Sequence, residues 1–173
     1  MRIAQVAPLF ESVPPRGYGG TERVVSYLTE ELVRQGHQVT LFASGDSHTQ
    51  ARLCAPCARS LRSEAGGLDA NAYHALMFER VFQESANFDI IHFHTDYQHF
   101  ALSRRHDVPV VHTHHGRLDI PGLMPLFQEF REIPVVSISN HQRTPAPWLN
   151  WQATVYHGLP KSLHGFHPNG GDY

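Results

Sequence analysis

Two stretches decide how this chain folds: Asp89-Ile90-Ile91-His92-Phe93-His94-Thr95-Asp96 and Val110-Val111-His112-Thr113-His114-His115-Gly116. Each is a short, mostly apolar run of β-branched and aromatic residues, ending in polar residues and a turn signal. Such runs are strands buried on both faces, the kind found in a parallel sheet covered by helices. Side chains alternate along a strand, so His92 and His94 share one face, as do His112 and His114. His115 falls on the opposite alternation, beside Gly116, at the carboxyl end of its strand. Ligands of open parallel sheets bind outside the carboxyl ends of the strands, so the residues there are the ones to inspect.

The same pattern extends in both directions. Ile3 to Ala7, Val39 to Ala43, Val135 to Ser139 and Thr154 to His157 read as further strands. Thr21 to Gln35 reads as a helix with Val24, Val25, Leu28 and Leu32 on one face. Thr21 is its expected N-cap and Gly36 its expected stop. Tyr73 to Ala86 reads as a second helix, with Leu76, Met77, Val81 and Phe82 inward, and Gly122 to Glu132 as a short helical connection. The result is an α/β chain: a doubly wound, mostly parallel sheet with helices on both faces, forming one domain over residues 1–163. Residues 164–173, with Gly165, Pro168, Asn169, Gly170 and Gly171, read as a linker leading out of it. Pro147-Trp148-Leu149-Asn150-Trp151 is expected to be a short helix packed on the sheet rather than a membrane or partner surface.

A long loop, Leu9 to Gly20, follows the first strand and ends Arg16-Gly17-Tyr18-Gly19-Gly20-Thr21-Glu22. It is not the dinucleotide fingerprint, because about a dozen residues separate strand from helix where that motif needs a tight turn. Nor is it a P-loop, since no Gly-Lys-Ser/Thr follows. Glycines directly before a helix let the backbone approach an anion closely, and the helix N-terminus offers free N–H groups. A diphosphate-binding loop and a plain flexible turn both fit this spacing.

Composition narrows the classes. Of 173 residues, 17% are charged, against about 25% in typical soluble domains, and 14 are histidine. A net charge of −2 gives no field that recruits nucleic acid. Below about pH 6 the histidines would make the chain basic. Cys54 and Cys57 are the only cysteines; one C-x-x-C pair cannot complete a four-ligand zinc site, and two ordinary thiols are the simpler reading. The two His-x-His pairs could hold a metal, but no carboxylate or cysteine spacing completes such a site. Most of these histidines are read as hydrogen-bonded structural residues, with His115 the one suited to a substrate contact. There is no signal-peptide pattern at the N-terminus and no apolar run of membrane-spanning length. The expected compartment is the cytoplasm, with peripheral attachment at the inner face of a membrane as a second location.

Taken in order, these segments resemble a known family. A strand, then a loop ending in a basic residue-x-Gly-Gly pattern, then Thr21-Glu22-Arg23-Val24-Val25, resembles the opening of family 4 glycosyltransferases, the glycogen-synthase-like group. Gly36-His37-Gln38-Val39-Thr40-Leu41 resembles their second strand, and 89–94 their Asp-Val-Val-His-x-His strand. Residues 110–116 resemble their Val-Val-x-Thr-x-His-Gly strand, and Pro134 to Ser139 the strand after it. Val155-Tyr156-His157-Gly158-Leu159 resembles the Val-x-Asn-Gly-Val segment before the second domain, with His157 replacing Asn. Glu22 and Glu30 have the family's Glu-x7-Glu spacing, but they lie on the first helix, so that match is accidental.

The resemblance implies one half of a GT-B enzyme, in which two Rossmann-like domains face each other across a cleft. The function it implies is that of a retaining nucleotide-sugar-dependent hexosyltransferase whose N-terminal half binds the acceptor. It implies that Gly19 and Gly20 meet the donor diphosphate. It implies that His115 is the catalytic candidate, contacting the transferring sugar or supporting its charge. Arg16, Tyr18, Asp96, Tyr97, Arg117 and Asp119 are the acceptor-side candidates, with His94 and Ser139 at the cleft. No metal or other cofactor is implied. The implied partners are a nucleotide sugar presented by an absent C-terminal domain and a sugar, lipid-linked or small-molecule acceptor. Alone, the chain is expected to be inactive and to self-associate through an exposed apolar domain interface. Competing readings are a GT-B nucleotide-sugar epimerase half, a non-catalytic sugar-binding module, and a His-rich metal-binding domain.

Overall fold

A computed structural model describes residues 1–63, 68–160 and 163; the expected linker at 164–173 lies outside the described residues. Among the described residues, seven strands form one sheet: β1 Arg2–Val6, β2 Gln38–Phe42, β3 Arg52–Cys54, β4 Ile90–Phe93, β5 Val110–Thr113, β6 Val135–Ser137 and β7 Trp151–Thr154. All pairs are parallel, in the order β3-β2-β1-β4-β5-β6-β7. The strand order reverses between β1 and β4, so their carboxyl ends open a crevice there, as in other doubly wound sheets.

The helices are α1 Gly20–Arg34, α2 Ala70–Gln83, α3 Phe100–Ser103 and α4 Met124–Glu129. Met77, Phe78, Val81 and Phe82 of α2 pack on Ala4, Val6, Phe42, Ile91 and Phe93. Phe100 and Phe127, from α3 and α4, pack with Ile133, Val135 and Leu149 on the same side of the sheet. α1 lies on the other side, where Val25 meets Ala7, Leu41 and Ala43. Asp69 caps α2, its carboxylate accepting from the backbone N–H of Asn71 and Ala72 at 2.9 and 3.3 Å.

Several elements depart from the sequence expectation. α1 begins at Gly20, not Thr21. Gly19 occupies the cap position with no side-chain bond, since its φ of 146° turns the chain into the helix. Gly36, at φ 84°, is the stop expected. The enclosed face of α1 is Glu22, Val25, Ser26 and Thr29, rotated from the expected stripe. Small Ser26 and Thr29 let the helix sit close to the sheet, while Val24, Leu28 and Leu32 are left half-buried beside it. In α2, Leu76 points outward and His74 takes the inward position. The last strand is Trp151–Thr154 rather than 154–157, and 147–150 forms turns, not a helix. β3 was not expected: it is three residues long, at the sheet edge, inside a polar Arg-containing stretch.

Phe93 is the hinge of the central packing. It is wholly enclosed, stacks on His99 with ring centroids 3.7 Å apart, and meets Phe78 and Phe82 at 6.2 and 5.9 Å. Phe93→Ala should cost about 3–5 kcal/mol, because the surrounding rings are tied to strand and helix and cannot collapse into the void. A shift of less than 1 kcal/mol in urea unfolding would contradict this packing.

Candidate active site

The carboxyl ends of β1, β4 and β5 enclose a cleft of about 450 Å³. The loop after β1 contributes Tyr18 and Gly19, and the first turn of α1 adds Gly20, Thr21 and Glu22. The end of β4 contributes His94, Thr95, Asp96 and Tyr97, and the end of β5 contributes His112, His114, His115, Gly116 and Arg117. His157 closes one side, its ring 5.3 Å from that of His115.

Eight of the sequence candidates therefore meet in one place: Tyr18, Gly19, Gly20, His94, Asp96, Tyr97, His115 and Arg117. Three do not line it. Arg16 lies outside on the loop. Asp119 is one step removed, holding Arg117 in an ion pair at 2.8 Å. The Arg117 guanidinium keeps the Asp119 carboxyl below the usual carboxylate range. Ser139 lies past the end of β6 and is used locally, its hydroxyl accepting from the backbone N–H of Gln142 at 3.1 Å.

Two hydrogen-bonded histidine chains run through the sheet to this cleft, one on each face. On the α1 side, His92 Nε2 lies 2.8 Å from Thr113 Oγ1, and Gln5 connects His92 to His94. His94 Nδ1 then meets His115 Nε2 at 2.9 Å. On the α2 side, Ser103 Oγ, His99, His112 and His114 are linked at 2.9, 3.0 and 3.0 Å. Each chain ends at a ring nitrogen without a partner, His115 Nδ1 and His114 Nε2. Burial keeps these rings neutral. It pushes His92 and His114 down to about 4 and His115 to about 3, and His94, His99 and His112 well below 6.5. A neutral imidazole can donate to or accept from a hydroxyl, and it carries no charge to draw a phosphate.

Sequence reasoning missed part of this wall. Glu22 lines the cleft at 6% exposure, and burial, with Glu11 nearby, raises its carboxyl above the ordinary value. An acidic residue in the first turn of a helix that follows a Gly-Gly pair was the available signal. Arg62 and Glu11 form an ion pair at 2.8 Å on the rim, with the guanidinium 5.7 Å above the Tyr18 ring. Nothing local in the sequence ties residue 62 to residue 11. His74 also lines the cleft but is fully used: its Nδ1–H donates to Ala70 O and its Nε2 accepts from the Leu9 N–H.

Among the described residues, no group of three or more His, Cys, Asp or Glu side chains is arranged to hold a metal ion. Burial raises the Cys54 thiol, opposite to the shift a reactive thiolate needs. No described helix is long and apolar enough to cross a membrane. Beneath the cleft, on the α1 face, lies a more open apolar groove of about 650 Å³. Its lining includes Ile3, Leu28, Ile90, Val111, Val136 and Tyr156.

A family model described as Glycosyltransferase Family 4 matches residues 18–164. Among solved structures, sucrose-phosphate synthase from Thermosynechococcus elongatus is similar over 90% of this chain and 46% of its own, at 15% identity and a TM-score of 0.61. A glycosyltransferase from Rickettsia africae is similar over 88% and 42%, at 18% identity and a TM-score of 0.55. AviGT4, a glycosyltransferase involved in avilamycin A biosynthesis, is similar over 89% and 41%, at 22% identity and a TM-score of 0.52. At such identities the likeness is one of fold. The chain spans less than half the length of each of these structures. Among curated proteins, none matches it.

Proposed function

The chain belongs to glycosyltransferase family 4, and on that premise we propose that it is the acceptor-binding N-terminal half of a retaining, nucleotide-sugar-dependent hexosyltransferase. One observation carries the reading: the Gly19-Gly20 turn at the start of α1 and His115, whose Nδ1 has no partner, line the same cleft at the carboxyl rim of the sheet. The two elements offer complementary chemistry. Backbone N–H groups and the positive end of a 15-residue helix suit a leaving diphosphate. A neutral imidazole suits a sugar hydroxyl. Tyr18, Asp96, Tyr97 and Arg117 border the remaining wall, where polar and aromatic groups can hold an acceptor near the anomeric carbon.

The cleft is partly open to solvent, so water reaches any sugar bound there. Glycosyl transfer needs that water excluded, and a second domain presenting the donor supplies the missing wall. The chain by itself is therefore proposed to be inactive. The apolar groove on the α1 face gives it a surface for self-association.

The test is transfer by the whole two-domain protein, offered a panel of UDP-, GDP- and ADP-sugars with mono- and disaccharide acceptors. The expected result is a glycoside of retained anomeric configuration, formed equally well in EDTA, and no product from residues 1–173 alone. His115→Ala should lower kcat/KM roughly tenfold to a hundredfold, the loss of one buried hydrogen bond worth about 1–3 kcal/mol. Failure of every donor to transfer, or steady turnover by residues 1–173 alone, would overturn the reading.

A further inference from the structure

The histidine chain on the α1 face has a direction, and Gln5 sets it. Gln5 is 1% exposed at the centre of β1, its side chain between those of His92 and His94. Its carbonyl oxygen Oε1 lies 2.8 Å from His94 Nε2, and its amide Nε2 lies 3.5 Å from His92 Nδ1. A carbonyl oxygen only accepts, so the His94 proton is on Nε2. His94 is enclosed and neutral, so it has no second proton, and its Nδ1 is a bare lone pair. The group 2.9 Å from that lone pair is His115 Nε2, which must donate. His115 is neutral too, which leaves its Nδ1 bare and without a partner, on a ring that lines the cleft. At the other end the amide donates to His92 Nδ1, and His92 Nε2–H donates to the Thr113 hydroxyl at 2.8 Å. With the amide in this orientation, each ring of the chain has one tautomer.

The chain on the other face contains no amide to orient it. It ends at Ser103, whose hydroxyl can donate or accept, so His99, His112 and His114 can carry their protons in either direction.

We propose that Gln5 is a positioning residue: through His94 it holds His115 as the Nε2–H tautomer and makes His115 Nδ1 a fixed hydrogen-bond acceptor for a ligand hydroxyl. The identity of that hydroxyl as one on a sugar rests on the transferase reading; the tautomer does not. An acceptor nitrogen repels a phosphate oxygen and welcomes a hydroxyl. It therefore divides the cleft between the diphosphate at Gly19 and Gly20 and the neutral part of the ligand at His115.

Long-range 1H–15N correlation spectra of the histidine-labelled chain at pH 7.5 read each ring's tautomer directly. The expected result is His94 and His115 both as Nε2–H, with His115 Nδ1 at the far-downfield position of a bare ring nitrogen. Gln5→Glu keeps an oxygen facing His94 and should leave His115 unchanged, while His92 switches its proton to Nδ1. Gln5→Leu removes the acceptor, and His115 should lose its single tautomer and show a mixture. A proton on His115 Nδ1 in the unsubstituted chain overturns the proposal outright, whether or not either variant folds. An unchanged His115 tautomer in folded Gln5→Leu overturns the role of Gln5. If the whole protein fails to transfer sugar while His115 is found as Nε2–H, the transferase reading falls and this inference stands.

Discussion

Acidification alone should destabilise this chain steeply from about pH 6.5 downward, beginning above the range where carboxylates titrate. His94, His99 and His112 are enclosed and are held neutral by burial, with their pKa values pushed well below 6.5. His92 and His114 titrate near 4 and His115 near 3 in the folded chain. Each depressed value means that the unfolded chain takes up a proton that the folded chain refuses. Stability from these groups is complete above about pH 6.5, falls as pH drops below it, and stops falling once the folded values are passed. One such histidine changes stability by about 1.4 kcal/mol per pH unit, so the three most enclosed change it by about 4. Against a typical total of about 5–15 kcal/mol, a slope of that size removes a large part of the stability as pH falls below 6.5, and the further histidines steepen it. Glu22 acts with the opposite sign, since burial raises its pKa and favours the folded state as pH falls, but it is one group. Urea midpoints measured across the range should report uptake of at least three protons on unfolding near pH 5.5. A fold that persists unchanged to pH 4, or a proton count near zero, contradicts the enclosed histidine chains.

Gly20→Ala should stabilise the fold and damage transfer. A Cβ at Gly20 meets nothing within 4 Å, so alanine enters the first turn of α1 freely. The gain is about 0.5–1 kcal/mol in helix propensity. In the whole protein the same methyl stands where the donor diphosphate is proposed to approach the backbone. Displacing the anion from those N–H groups should lower kcat/KM by about 10²–10³. Gly19→Ala supplies the contrast. Gly19 sits at φ 146°, and a Cβ there comes within 2.7 Å of Pro15 Cβ and 3.2 Å of Glu22 Oε2. Strain of about 1–3 kcal/mol should lower its stability as well as its transfer. Two adjacent substitutions with opposite effects on thermal unfolding and the same effect on turnover would separate the anion site from the integrity of the loop. Undiminished kcat/KM in Gly20→Ala would remove the diphosphate from this turn.

The apolar runs at 3–7, 39–43, 89–95, 110–114 and 135–139 were legible as strands because burial on both faces leaves a continuous apolar signature. Arg52–Cys54 carries no such signature, since an edge strand needs only one neighbour and tolerates charge. The rotation of α1 was hidden for a different reason. Periodicity finds the most apolar stripe, and here that stripe borders the apolar groove while Ser26 and Thr29 face the sheet. In α2, His74 outranks Leu76 as a buried residue because its two ring nitrogens are satisfied by Ala70 O and the Leu9 N–H, a pairing invisible in one segment alone.

From its sequence alone, the chain determines a parallel α/β sheet, a glycine turn entering the first helix, and a histidine that emerges at a strand end on the face opposite its two predecessors. These follow from local rules: alternation along a strand, helical period, and the backbone freedom of glycine. Only the tertiary structure decides that these parts meet. Strand order brings β4 and β5 side by side in a register that opposes Phe93 to His112, and that stagger sets His94 against His115 at 2.9 Å. Enclosure, and with it the loss of charge on six histidines, depends on which elements cover each ring. Desolvation is a property of surroundings assembled from distant parts of the chain, and no residue carries it in its own neighbourhood of sequence.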